Sequence, residues 1–208
     1  MDGEPVDLWL IAGNRADFAD QAVRYGLSLA HAAIHQNPSR PLTSVVAGLD
    51  FAPESAGLPT LLRTAPVLSP PITTWGPQLV ALALRRTPPP PADYRLNVIA
   101  NPALGQWFEI GPPAGAVWSG AIFGSDAGEI THQGIGPSRQ LPQRCVLEYP
   151  CRGIQVTASG RDFTCWSARN TLDSGQSHYV RVVGNPERIL FGALPERDEA
   201  ELWVLDLT

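Results

Sequence analysis

Few residues in this chain are able to do acid–base or metal chemistry, and their spacing narrows what that chemistry could be. The histidines are His31, His35, His132 and His178. His31 and His35 form an H-x-x-x-H pair, the spacing at which two imidazoles on one helix face can share a zinc ion. Ala32 stands where the metalloprotease form of that motif needs a glutamate, so the pair reads as a solvated helix face. No metal or other cofactor is expected. His132 lies in a second context, the glycine-rich run Gly124-Ser-Asp-Ala-Gly-Glu-Ile-Thr-His-Gln-Gly-Ile-Gly, which also carries Asp126 and Glu129. A loop with one histidine and two carboxylates can hold a general acid–base pair. Asp126, Glu129 and His132 are therefore the catalytic candidates if the chain is an enzyme.

Other reactive arrangements are missing or fit poorly. Cys145, Cys151 and Cys165 are spaced C-x5-C-x13-C, far from the short knuckles of structural zinc sites, and three cysteines do not make a disulfide framework. No G-x-S-x-G elbow presents a nucleophilic serine, and no G-x-G-x-x-G follows the first predicted strand. All fifteen basic residues are arginine. Without lysine there is neither a Schiff base nor a P-loop cation. Among the aromatic residues, Trp75 and Trp107 are flanked by prolines or a turn and are the candidates for a binding surface.

The elements that must carry these residues follow from periodicity and breakers. Residues 6–12 read as a buried strand, and Phe18, Ala22, Tyr25, Leu29 and Ala33 form the apolar stripe of a helix from about Arg15 to Gln36. Asn14 is placed to cap that helix, and Asn37-Pro38 ends it. Thr43–Leu49 and Leu79–Arg86 are expected as strands. Pro88–Pro91 has no backbone donors and favours a stiff extended spacer or strap.

From Tyr94 onward, ten short strand candidates stand between turn signals: Tyr94–Ala100, Gln106–Ile110, Ala116–Phe123, Glu129–Gln133, Arg144–Tyr149, Ile154–Ser159, Phe163–Ala168, Tyr179–Gly184, Arg188–Ala193 and Glu201–Leu207. That spacing predicts an antiparallel sandwich or barrel.

The fold class is thus α+β, mainly β. An N-terminal strand–long helix–strand layer occupies 1–87, a polyproline linker or strap 88–91, and an antiparallel β domain 92–208, the whole expected to form one cooperative unit. The net charge of −5 provides no basic field for nucleic acid, and no apolar run approaches membrane-spanning length. With no cationic, apolar leader at its start, the chain is expected to be soluble and made in the cytoplasm, whether or not it is later built into a particle.

Three functions fit these observations. The first is a non-catalytic protein-interaction or assembly module, such as a structural component of a bacterial or phage particle or of a secretion apparatus, with a protein partner or its own copies as partner. The second is a hydrolase or transferase, for example a delivered effector, working at Asp126, Glu129 and His132. The third is a β domain that binds a sugar or another small molecule.

Overall fold

A computed structural model describes residues 8–35, 42–84, 93–194 and 201–208. The polyproline stretch 88–91 and the stop at Asn37-Pro38 lie outside the described residues. The chain divides into two compact units, 1–90 together with Thr208, and 91–207.

The first unit holds a parallel sheet of β1 (Leu8–Gly13), β2 (Thr43–Gly48) and β3 (Val67–Leu68), in that order. β1 and β2 run in register from Leu8 opposite Thr43 to Gly13 opposite Gly48. Parallel neighbours need a crossover, and two helices supply it: α1 (Arg15–Ala19) and α2 (Gln21–Ile34). One continuous helix was expected. Asp20 divides it, because its backbone is extended (φ −74°, ψ 120°) and its carboxylate accepts from the amides of Ala22 and Val23 as the cap of α2. The buried residues of α2 are Tyr25, Ser28 and Ala32.

At the start of α1, Asn14 and Asp17 form a reciprocal capping box, with bonds of 3.0 and 2.9 Å. One cluster of this unit gathers Ile11, Phe18, Val46, Leu58 and Leu62, with Leu27 against it. A second gathers Val45, Ala47, Leu68 and Trp75, with Leu79 and Leu82. These last residues belong to α3 (Trp75–Leu84), where Leu79–Arg86 was expected as a strand. Pro77 explains the difference: in the first turn of a helix its missing N–H costs nothing, so a flanking proline starts this helix and does not border a strand.

The second unit is antiparallel and mainly β. Its strands are β4 (Arg95–Asn101), β5 (Gly105–Gly111), β6 (Ala121–Ser125), β7 (Glu129–Pro137), β8 (Cys151–Ala158), β9 (Arg161–Ala168), β10 (Gln176–Val183), β11 (Arg188–Ala193) and β12 (Leu202–Asp206). They form two open sheets, β4-β5-β10-β7 and β12-β11-β6-β9-β8. Neither closes on itself, so the barrel alternative falls. β8 and β9 make a hairpin, with Ser159 (φ 51°) and Gly160 (φ 72°) supplying the two left-handed positions of a tight turn.

The two sheets meet through Phe108 on β5 and Phe123 on β6, whose rings lie 5.2 Å apart. Gln133 on β7 reaches across to the carbonyl of Ser167 on β9. Arg144–Tyr149, expected as a strand, is a loop. Its backbone groups pair sideways with 169–170 in place of a ladder, as the carbonyl of Glu148 accepts from Arg169 N. Among the described residues, no helix is long and apolar enough to cross a membrane.

Candidate functional site

The features with the strongest chemistry lie on the outer face of the four-stranded sheet, the side away from Phe108. Strand pairing puts residues from all four strands into transverse rows on this face. Ile99, Trp107, Arg181 and His132 make one row, each opposite the next. Asn97, Glu109, Tyr179 and Gly134 make the row beside it.

In that second row Glu109 is only 3% exposed. Three donors converge on its carboxylate: the backbone N of Arg139 at 2.6 Å and Ser177 Oγ at 2.8 Å on Oε1, and Asn97 Nδ2 at 2.8 Å on Oε2. A buried carboxylate is tolerable only when satisfied in this way. Two of these donors come from the neighbouring strands, and the third comes from the segment after β7, which folds back as a strap over the sheet. Tyr179 holds the same strap, since its hydroxyl donates to the carbonyl of Pro137 at 2.5 Å and accepts from Gln140 N at 3.0 Å. Ser138 N adds a bond to Gly175 O. Burial, and next the negative charge of Glu109, push the Tyr179 hydroxyl well above its ordinary pKa, so it stays a neutral donor. The strap lies close because Gly136 has no side chain: a Cβ there would come within 2.7 Å of Pro142 Cβ.

The first row is more open. His132 is exposed, and Ile99, Trp107 and Arg181 are half-buried. The Trp107 indole is fixed by donating to Leu104 O at 2.9 Å, and its ring lies 6.2 Å from that of His132. His132 Nδ1 lies 3.1 Å from Thr131 Oγ1.

The residues singled out from sequence have different fates. Glu129 and His132 both come to the solvent side of β7, because a bulge opposite Arg181/Val182 absorbs Thr131 and restores the parity between them. Asp126 is committed to structure: its Oδ1 accepts from Arg188 N at 3.0 Å. No hydrogen bond joins Asp126, Glu129 and His132 among the described residues. His178 is wholly buried on the opposite face, where its Nε2 lies 3.0 Å from Gln133 Oε1 and its Nδ1 has no partner. Burial lowers its pKa to about 3, so it is neutral at pH 7.

Trp75, taken as a surface aromatic, is 5% exposed and belongs to the core of the first unit, with its indole donating to Ser69 O. Cys165 is buried and its thiol is pushed up to about 12, which leaves it unreactive at neutral pH, while Cys145 and Cys151 are exposed and free.

His31 and His35 stack face to face, ring centroids 3.8 Å apart, and His35 spends its ring nitrogens on the carbonyls of His31 and Leu42 and on Ser44 Oγ. Stacked imidazoles cannot aim lone pairs at one ion. Burial and then His35 hold the His31 pKa near 3. Among the described residues, no group of three or more His, Cys, Asp or Glu could hold a metal ion. A thermal melt of the first unit followed by far-UV circular dichroism is therefore expected to be unchanged by EDTA or by zinc. A zinc-dependent rise of several degrees would contradict this geometry.

Against known protein families, curated proteins and solved structures, the chain finds no match. Its functional reading rests on its own geometry.

One loop was legible in the sequence only as an expected strand. Val146 and Tyr149 are 82% and 81% exposed. Glu148 N donates to Asn170 Oδ1 at 2.9 Å, Asn170 Nδ2 donates to Val146 O at 3.0 Å, and Arg169 N donates to Glu148 O at 2.8 Å. The loop is held from behind while its two large apolar side chains face water.

Proposed function

We propose that this protein is a non-catalytic protein-interaction or assembly module whose β-sandwich presents contact residues to a protein partner, as a structural component of a larger particle would. The observation that carries this reading is the 144–150 loop. Exposing Val146 and Tyr149 together works against solubility, and the loop is pre-organised by the Asn170 bridge. Tyr149 also holds a left-handed backbone (φ 45°), which a side chain of that size adopts only under constraint. A rigid, exposed tyrosine is the commonest kind of interface anchor, because little conformational entropy is lost when it is buried. Asp126 is committed to Arg188 N, and no hydrogen bond joins it to Glu129 or His132 among the described residues, which gives the enzyme reading no comparable support.

Tyr149→Ala combined with Val146→Asp leaves the core untouched, so folding is expected to be unchanged. The double variant is expected to lose at least ten-fold in affinity for the protein partner, or in self-association, measured by size-exclusion chromatography with light scattering and by recovery of a stoichiometric complex from the native lysate. A wild-type protein that stays monomeric and partnerless in both measurements overturns the reading.

A further inference from the structure

We infer that the row Ile99–Trp107–Arg181–His132 is a recognition site for an acidic peptide segment, with the Arg181 guanidinium as the group that takes a carboxylate. Three features of the row point to this ligand. Arg181 has no carboxylate within ion-pair distance among the described residues, and its Nε is buried without a hydrogen-bond partner. A buried arginine donor without a partner calls for an explanation, and an anion brought to the remaining N–H groups of the same guanidinium is one.

The guanidinium also has a prepared seat. It lies over Gly105, where a Cβ would come 2.8 Å from Nε and 3.0 Å from Nη2, and Gly105 holds a left-handed backbone (φ 74°). The left-handed backbone is what favours glycine here, and its lack of a side chain leaves room for the guanidinium.

Finally, Arg181 is flanked on the adjacent strands by Trp107 and His132, and the indole is held in place by Leu104 O. Ile99 extends the apolar surface to the edge strand. Four strands at about 4.8 Å spacing give a row roughly 14 Å long, enough for about four extended residues. A planar, bidentate donor on a strand whose two neighbours carry Trp107 and His132 suits a carboxylate with apolar or aromatic neighbours. The carboxylates on the same face do not compete: Glu109 is spent on Asn97, Ser177 and Arg139 N, and Glu129 forms no ion pair with Arg181. This site is separate from the 144–150 loop and does not depend on the reading of it.

The test is a titration of the full ¹⁵N-labelled chain with acetyl-Phe-Glu-Glu-Phe-amide, with the matching Gln-Gln peptide and with inorganic phosphate. The Trp107 indole N–H and the Arg181 Nε–H signals should shift with the glutamate peptide, and the glutamine peptide should bind at least ten-fold more weakly. Arg181→Gln should lose at least ten-fold in affinity. His132→Asp places an internal carboxylate opposite Arg181 and should do the same while Arg181 remains, which covers the case in which the arginine variant fails to fold. The Val146→Asp/Tyr149→Ala protein should bind the peptide as wild type, so failure here and failure of the loop reading are distinguishable. Three results would overturn the inference: equal response to the two peptides, phosphate binding as tightly as the glutamate peptide, or unchanged binding by both Arg181→Gln and His132→Asp.

Discussion

Glu109→Gln is expected to destabilise the 91–207 unit by about 2–4 kcal/mol, the range for leaving a buried donor unpaired beside a disrupted polar cluster. Three N–H or O–H groups point at the two oxygens of this carboxylate. Glutamine keeps the shape but offers one acceptor and one NH2, so the NH2 either faces the Arg139 N–H, or faces Asn97, whose amide must then flip and leave its own NH2 buried without an acceptor. The strap should suffer most, because Arg139 N and the Tyr179 hydroxyl are its chief polar anchors. Urea unfolding followed by tryptophan fluorescence gives the stability, and amide exchange at Arg139 and Gln140 reports the strap. A change under about 0.5 kcal/mol, in the range of ordinary surface substitutions, with exchange at both amides unaltered, would mean that the carboxylate is not what fastens the strap.

Acid should weaken the same unit through His178. Burial holds its folded-state pKa near 3, against 6.5 in the unfolded chain. Between those values the unfolded chain binds a proton that the folded chain refuses. Stability is therefore complete above pH 6.5 and is lost as the pH falls through that window, at up to about 1.4 kcal/mol per unit. The neutral ring is built in: Nε2–H donates to Gln133 Oε1, and Gln133 Nε2 donates to Ser167 O in the other sheet, so the pair clamps the two sheets together. Protonation would add a charge and a second donor, at Nδ1, where no acceptor is within reach.

From pH 6.5 to pH 4 the wild type should lose roughly 3 kcal/mol more than His178→Gln, which keeps a donor but does not titrate. Parallel pH profiles for the two proteins would show that His178 does not hold its neutral form in the folded state. His31 imposes a dependence of the same sign on the first unit, for the same dominant reason of burial.

Elements set by local chemistry were legible in the residues. Strand-forming runs and turn residues locate nine of the ten strands expected after residue 93, since strand propensity and breakers act over a few positions. Arg144–Tyr149 shows where this fails: its run Cys145-Val146-Leu147 has strand-forming composition, yet its backbone pairs with 169–170, a choice made by a segment some twenty residues away. Leu79 to Leu84 is ambiguous by period, and Pro77 reads either as a border or as a helix start until the apolar surface of Val45, Ala47 and Leu68 decides in favour of the helix.

Trp75 and Trp107 look alike in sequence, each beside a turn, but one lies in that core and the other on an open sheet face. The Glu109 cluster joins residues up to 68 positions apart, and the Trp107–Arg181–His132 row exists only because β10 lies between β5 and β7.

The sequence by itself determined the mainly β character, the antiparallel pairing of the C-terminal part, the Asn14 cap, and the lack of lysine chemistry and of a basic field for nucleic acid. These follow from composition and from interactions within a few residues. Only the tertiary structure decided that His132 and His178 lie on opposite faces, that Glu109 is buried under a strap, that Arg181 has no carboxylate within ion-pair distance among the described residues, and that Val146 and Tyr149 stand in water. Each of these depends on which distant strands pair and in what register, where a shift of one residue turns every side chain to the other face.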